Sequence, residues 1–93
     1  MNMYLLTKND CPYCNDFKNF LKFTPVGKKA AEKITILNRD TVTGEDAVLF
    51  QMLLDEGIVQ GGQSYPMLIN GETELLSTGF DATKVMKVLK END

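Results

Sequence analysis

Three residues separate the apolar run Met3-Tyr4-Leu5-Leu6-Thr7 from Cys11, and Pro12 follows at once. This junction constrains the fold more than any other stretch. A short apolar run that ends in polar residues reads as a buried strand. Pro12 suits the first position of a helix, where its missing N–H would have no partner anyway. Cys14, Phe17, Phe20 and Leu21 then recur at helical spacing, and Phe23 is read with them as core. Thr24-Pro25 should end that helix, because the residue before a proline avoids helical backbone angles. The chain thus predicts a strand, a tight loop and a helix. One cysteine sits at the helix N-cap and the second lies one turn further in.

The rest of the chain supplies partners for that unit. Ile34-Thr35-Ile36-Leu37 is rich in β-branched residues and reads as a second strand. Residues 26–33 form either a basic connector or a continuation of undefined shape, with Lys28 and Lys29 on a solvated loop. Thr43 is the expected N-cap of a second helix with Glu45 and Asp46 in its first turn. Val48, Leu49, Met52 and Leu53 are its expected apolar face, and Gly57 its expected stop. Residues 60–64 read as a polar loop. Tyr65-Pro66-Met67-Leu68-Ile69 reads as a third strand, Asn70-Gly71 as a hairpin turn and residues 72–77 as a fourth strand. Asp81 leads into a last helix that turns Val85, Met86, Val88 and Leu89 inward. The order β-α-β-α-β-β-α requires a parallel first pair with a right-handed crossover and an antiparallel last pair. One four-stranded mixed sheet with helices on both faces satisfies it. Residues 1–93 read as one α/β domain.

Charge and composition narrow the function classes. The formal net charge is -3 and no run of Lys or Arg is present, which argues against nucleic acid as a partner. No apolar segment is long enough for a membrane span, and the N-terminal residues do not resemble a signal peptide. A cytoplasmic location is the resulting expectation. There a pair of cysteines is more often catalytic or metal-binding than a structural bridge.

Two cysteines placed at random in this chain would lie three apart in roughly one case in fifty, so the spacing carries information. At a helix N-terminus, unpaired backbone N–H groups and the helix dipole favour an anion, and the thiolate is the nucleophilic form of cysteine. Lys8 adds a nearby positive charge. Cys11, beside Pro12, is expected to be exposed and to attack; Cys14, on the same face one turn later, resolves. Tyr13 between them is expected at the surface, in contact with a thiol substrate. A structural zinc site needs four ligands, and with no histidine and no further cysteine one chain cannot close it. No metal site is therefore expected. The absence of histidine also excludes a Cys–His hydrolase.

Cys11-Pro12-Tyr13-Cys14 resembles the active-site tetrapeptide of dithiol glutaredoxins, and the likeness runs through most of the chain. Lys8 stands where that family places a lysine. Tyr65-Pro66 is similar to the Val-Pro before the family's third strand, whose peptide bond is cis. Thr78-Gly79-Phe80-Asp81 resembles the segment that holds the γ-glutamyl end of glutathione, with Thr78 in place of a glycine and Phe80 in place of Cys or Ser. Ser77-Thr78-Gly79-Phe80 is also similar to the Ser-Gly-Phe of glutaredoxin-like reductants of ribonucleotide reductase, which thioredoxin reductase recharges.

The resemblance implies a thioredoxin-like fold and a monomeric enzyme that reduces protein disulfides and glutathione mixed disulfides. Glutathione would be its co-substrate, with no tightly bound cofactor and with ribonucleotide reductase among its protein partners. Cys11 and Cys14 would be catalytic and Lys8 would stabilise the thiolate. Lys8, Tyr13, Tyr65, Pro66, Gly79, Phe80 and Asp81 would bind glutathione or substrate. Phe80 is read either as core beside the last helix or as a contact for a protein partner. The other readings are recharging by thioredoxin reductase, an iron–sulfur carrier that shares a cluster through Cys11, and a non-catalytic interaction module.

Overall fold

Strand β1 (Met3–Thr7) is buried on both faces, and its alternation sorts the core into two layers. In the computed structural model, which describes residues 2–92, Met3 and Leu5 face one layer and Leu6 the other. The first layer is closed by Phe17, Phe20 and Leu21 of α1 (Pro12–Phe23) and by Val85 and Leu89 of α4 (Ala82–Glu91). The second is closed by Phe50 and Leu53 of α3 (Gly44–Val59). The sheet order is β2-β1-β3-β4, with β2 at Ile34–Asn38, β3 at Met67–Asn70 and β4 at Leu75–Thr78. β1 pairs in parallel with β2, and the other two pairings are antiparallel. This four-stranded mixed sheet between helices is the arrangement predicted from the order of elements, and it is consistent with the thioredoxin-like fold that the resemblance implies.

Several local features differ from the sequence reading. Residues 26–33 are not a shapeless connector. Pro25–Ala31 form a short helix, α2, whose N-cap Thr24 accepts the Gly27 N–H at 2.9 Å; Lys28 and Lys29 lie on its last turn. Phe23 is 70% exposed and does not join the core. At about 100° per residue it lies half a turn around from Cys14.

Helix α3 does not stop at Gly57 but runs to Val59. A side chain at Gly57 would meet the Met67 sulfur at 3.1 Å and Ile69 Cδ1 at 3.3 Å, so this glycine serves the close approach of α3 to β3. The buried side of α3 carries Phe50, Leu53 and Gly57, whereas Val48 and Met52 lie on the opposite side, 72% and 49% exposed.

The β3–β4 hairpin forms as expected, but through a loop longer than a two-residue turn. The Asn70 side-chain oxygen accepts the Glu72 and Glu74 N–H groups, both at 2.9 Å. Thr73, not Gly71, takes the left-handed conformation, at φ 64°. Tyr65 and Pro66 precede β3 and are not part of it.

Candidate active site

The C-terminal ends of β1 and β2 and the N-terminal end of β3 meet at one end of the sheet. The chain leaves β1 through Asp10, whose φ of 54° turns it sharply into α1. Cys11 is the N-cap of α1: its backbone is extended, its carbonyl accepts the Asn15 N–H at 3.1 Å, and its Sγ accepts the Cys14 N–H at 3.2 Å. Cys11 and Cys14 are joined in a disulfide with Cα atoms 5.2 Å apart.

Cys14 is fully buried and Cys11 is 6% exposed. Cys11 is thus more covered than expected, because its side chain folds inward to cap the helix and bond to Cys14. The order of access still holds: Cys11 reaches the surface and Cys14 does not.

A groove of about 420 Å³ opens beside the disulfide, lined by Lys8, Asp10, Cys11, Pro12, Tyr13, Gln63, Ser64 and Tyr65. Tyr13 is 58% exposed, as predicted. The Tyr65 ring stacks on Phe50 at 6.5 Å between centroids, which ties this wall to α3. Lys8 Nζ lies 5.4 Å and the Arg39 guanidinium carbon 5.9 Å from the same ring centroid, within cation–π range. Partial burial pushes the Tyr65 hydroxyl up from its ordinary value, and the nearby Arg39 charge partly opposes that shift.

Arg39 and Asp40 were not read as site residues from the sequence. The Asp40 carboxylate accepts the Asn9 N–H at 2.8 Å and pairs with Arg39 Nε at 3.1 Å. The Asn9 hydrogen bond, with Arg39 second, holds Asp40 below its ordinary value; Arg39 is raised in return by its bond to Asp40. The loop after β2 is thereby tied to the loop that carries the cysteines. A signal was available: in a parallel pair, residues that follow the two strands emerge at the same end of the sheet.

The remaining predicted residues lie apart from the groove. The Tyr65–Pro66 bond is cis, as the resemblance implied. Pro66 is fully buried, and its carbonyl accepts the Gly79 N–H at 2.9 Å. Of this pair, Tyr65 is the residue that lines the groove. Gly79, at φ 73°, and Asp81 line a second groove between β4 and α4, together with Lys84 and Lys87. Asp81 is the N-cap of α4, accepting the Thr83 and Lys84 N–H groups at 3.0 and 3.3 Å. Phe80 packs on Phe17 and Phe20, with centroids 5.5 and 5.9 Å away, so its ring belongs to the core layer.

Chemically, the arrangement offers a sulfur at a helix N-terminus, in a groove that Lys8 also lines, with a second sulfur sealed beneath it. Among the described residues no group of three or more His, Cys, Asp or Glu is placed to hold a metal ion, and no helix is long and apolar enough to cross a membrane. A scan against protein-family models and searches of curated proteins and of solved structures each found no match.

Proposed function

We propose that this chain is a thiol–disulfide oxidoreductase, of the glutaredoxin type, that draws its electrons from glutathione. The observation that carries the reading is the Cys11–Cys14 disulfide at the N-cap of α1, with only Cys11 reaching the groove. In the reduced protein the α1 N-terminus favours the Cys11 thiolate. That thiolate attacks a substrate disulfide, forming a Cys11–substrate bond and expelling one substrate thiolate, which takes up a proton. The Cys14 thiol then loses its proton and attacks the Cys11 sulfur. The second substrate thiolate leaves, and two electrons have passed from the cysteine pair to the substrate. When the substrate is a glutathione mixed disulfide, a second glutathione thiolate releases Cys11 instead and yields glutathione disulfide.

Lys8, Tyr13 and Tyr65, which share the groove with Cys11, are the residues proposed to meet the substrate first. Gly79 and Asp81 are proposed for the α-amino acid end of glutathione, with Asp81 accepting from its ammonium group. Protein disulfides, including that of ribonucleotide reductase, are the proposed physiological substrates, and no tightly bound cofactor is required.

The test is to recharge the oxidised protein with glutathione plus glutathione reductase, and separately with thioredoxin reductase. Faster recharging by glutathione supports the reading. Faster recharging by thioredoxin reductase would replace glutathione as the electron source, and no exchange in either system would remove the redox assignment.

A further inference from the structure

The buried end of β1 holds a group that disulfide exchange, as described so far, does not use. Thr7 is fully buried, and its hydroxyl has no hydrogen-bond partner among the described residues, although its main-chain carbonyl is satisfied by the Arg39 N–H at 2.8 Å. A buried hydroxyl without a partner is costly, so a fold that keeps one invites a reason. Strand alternation gives its direction. Met3 and Leu5 face the layer closed by α1, and Thr7 continues that series. Helix α1 starts above the C-terminal end of β1 and runs back along it, with Phe17 and Phe20 packed in the same layer as Met3 and Leu5. One turn before Phe17 comes Cys14, buried on the same face of α1, the face turned toward the side of β1 that Thr7 continues.

Resting on the redox reading above, we infer that Thr7 is a positioning residue for the resolving sulfur, its hydroxyl held for Cys14 in the reduced protein. In the disulfide each sulfur is neutral and bonded to its neighbour, and the Thr7 hydroxyl is left over. Reduction adds two electrons and two protons and parts the sulfurs. The Cys14 sulfur then becomes a partner: as a thiol it donates to Thr7 Oγ1, and as a thiolate it accepts the hydroxyl hydrogen. The hydroxyl therefore stabilises the reduced state and is a burden in the oxidised one. It also helps form the Cys14 thiolate that closes the mixed disulfide.

Thr7→Val keeps the shape and removes the hydroxyl; Thr7→Ser keeps the hydroxyl. The full chain is equilibrated with mixtures of reduced and oxidised dithiothreitol, and the reduced fraction is read by thiol alkylation. In Thr7→Val the equilibrium constant for reduction should fall about tenfold, a potential about 30 mV more negative, with Thr7→Ser within about twofold of the parent. In a Cys11→Ser background, alkylation of Cys14 against pH should shift to higher pH with Thr7→Val and stay in place with Thr7→Ser. An unmoved equilibrium in Thr7→Val, or an equal shift in both variants, would overturn the role of Thr7 while leaving the redox reading intact. A parent protein that exchanges with no disulfide would overturn both.

Discussion

Two helices begin at the same end of the sheet, and they are capped by different chemistry. Helix α4 starts on Asp81, whose carboxylate accepts two backbone N–H groups. Helix α1 starts on Cys11, whose sulfur accepts one. Each is preceded by a residue with left-handed backbone: Asp10 directly before the α1 cap, and Gly79 two positions before the α4 cap. The carboxylate serves to hold the helix. The sulfur changes charge and bonding with oxidation state, so the same structural position becomes a place for chemistry. The lesson is that an N-cap's role is set by whether the capping atom can change state.

The largest expected effect breaks the chemical cap. Cys11→Ser should abolish disulfide exchange, because no nucleophile remains in the groove. Cys14→Ser should keep activity on glutathione mixed disulfides and lose much of its activity on protein disulfides. Steady-state assays with both substrate types read this, and equal loss in the two variants on the glutathione substrate would count against the monothiol route.

The next effects concern the structural cap. Gly79→Ala forces an L side chain into a left-handed conformation and should cost about 1–2 kcal/mol in urea unfolding. A Cβ there would meet Ser64 Oγ at 3.5 Å, an ordinary contact, so the cost is one of backbone and not of crowding. Asp81→Ala should cost about 1 kcal/mol through the lost cap while leaving the alkylation profile of Cys11 unchanged. A shifted Cys11 profile would show that the two caps are not independent.

The smallest effect is a titration. Asp40 is held below its ordinary value of 3.8, so its carboxylate favours the folded loop above that pH, and the contribution is lost as pH falls through the lower folded value. The Asn9 amide resonance should follow the Asp40 carboxyl titration curve, and Asp40→Asn should abolish that dependence. An Asn9 amide that moves at a different pH would break the assignment.

The two caps were also the most legible parts of the chain. Cys11 before Pro12, and Asp81 before a helix-spaced apolar series, each combine a local cap signal with an amphipathic pattern. Helix α1 buries Cys14, Phe17, Phe20 and Leu21 as its periodicity predicts. Helix α3 was harder because apolar residues occur nearly all around it. Val48-Leu49-Phe50 and Met52-Leu53 allow more than one face, and only packing selects Phe50 and Leu53. Gly57 carries a local signal for stopping a helix, and tertiary contact with β3 overrides it. At the site, Lys8, Tyr13 and Tyr65 could be read from the motif and its surroundings. Arg39 and Asp40 required the strand pairing, and Thr7 required a hydrogen-bond census that no one-dimensional pattern contains.

The strand order has a consequence for the chain as it is made. β1 is synthesised before either of its neighbours, yet Met3 pairs with Ile34 on one side and Asn70 on the other. Cys11 and Cys14 therefore leave the ribosome well before Tyr65, which completes one wall of their groove. During that interval the nascent thiols lack the walls that later choose their partners. A crossed disulfide with another chain is then the error to be expected, and the late arrival of β3 is the event that ends the exposure.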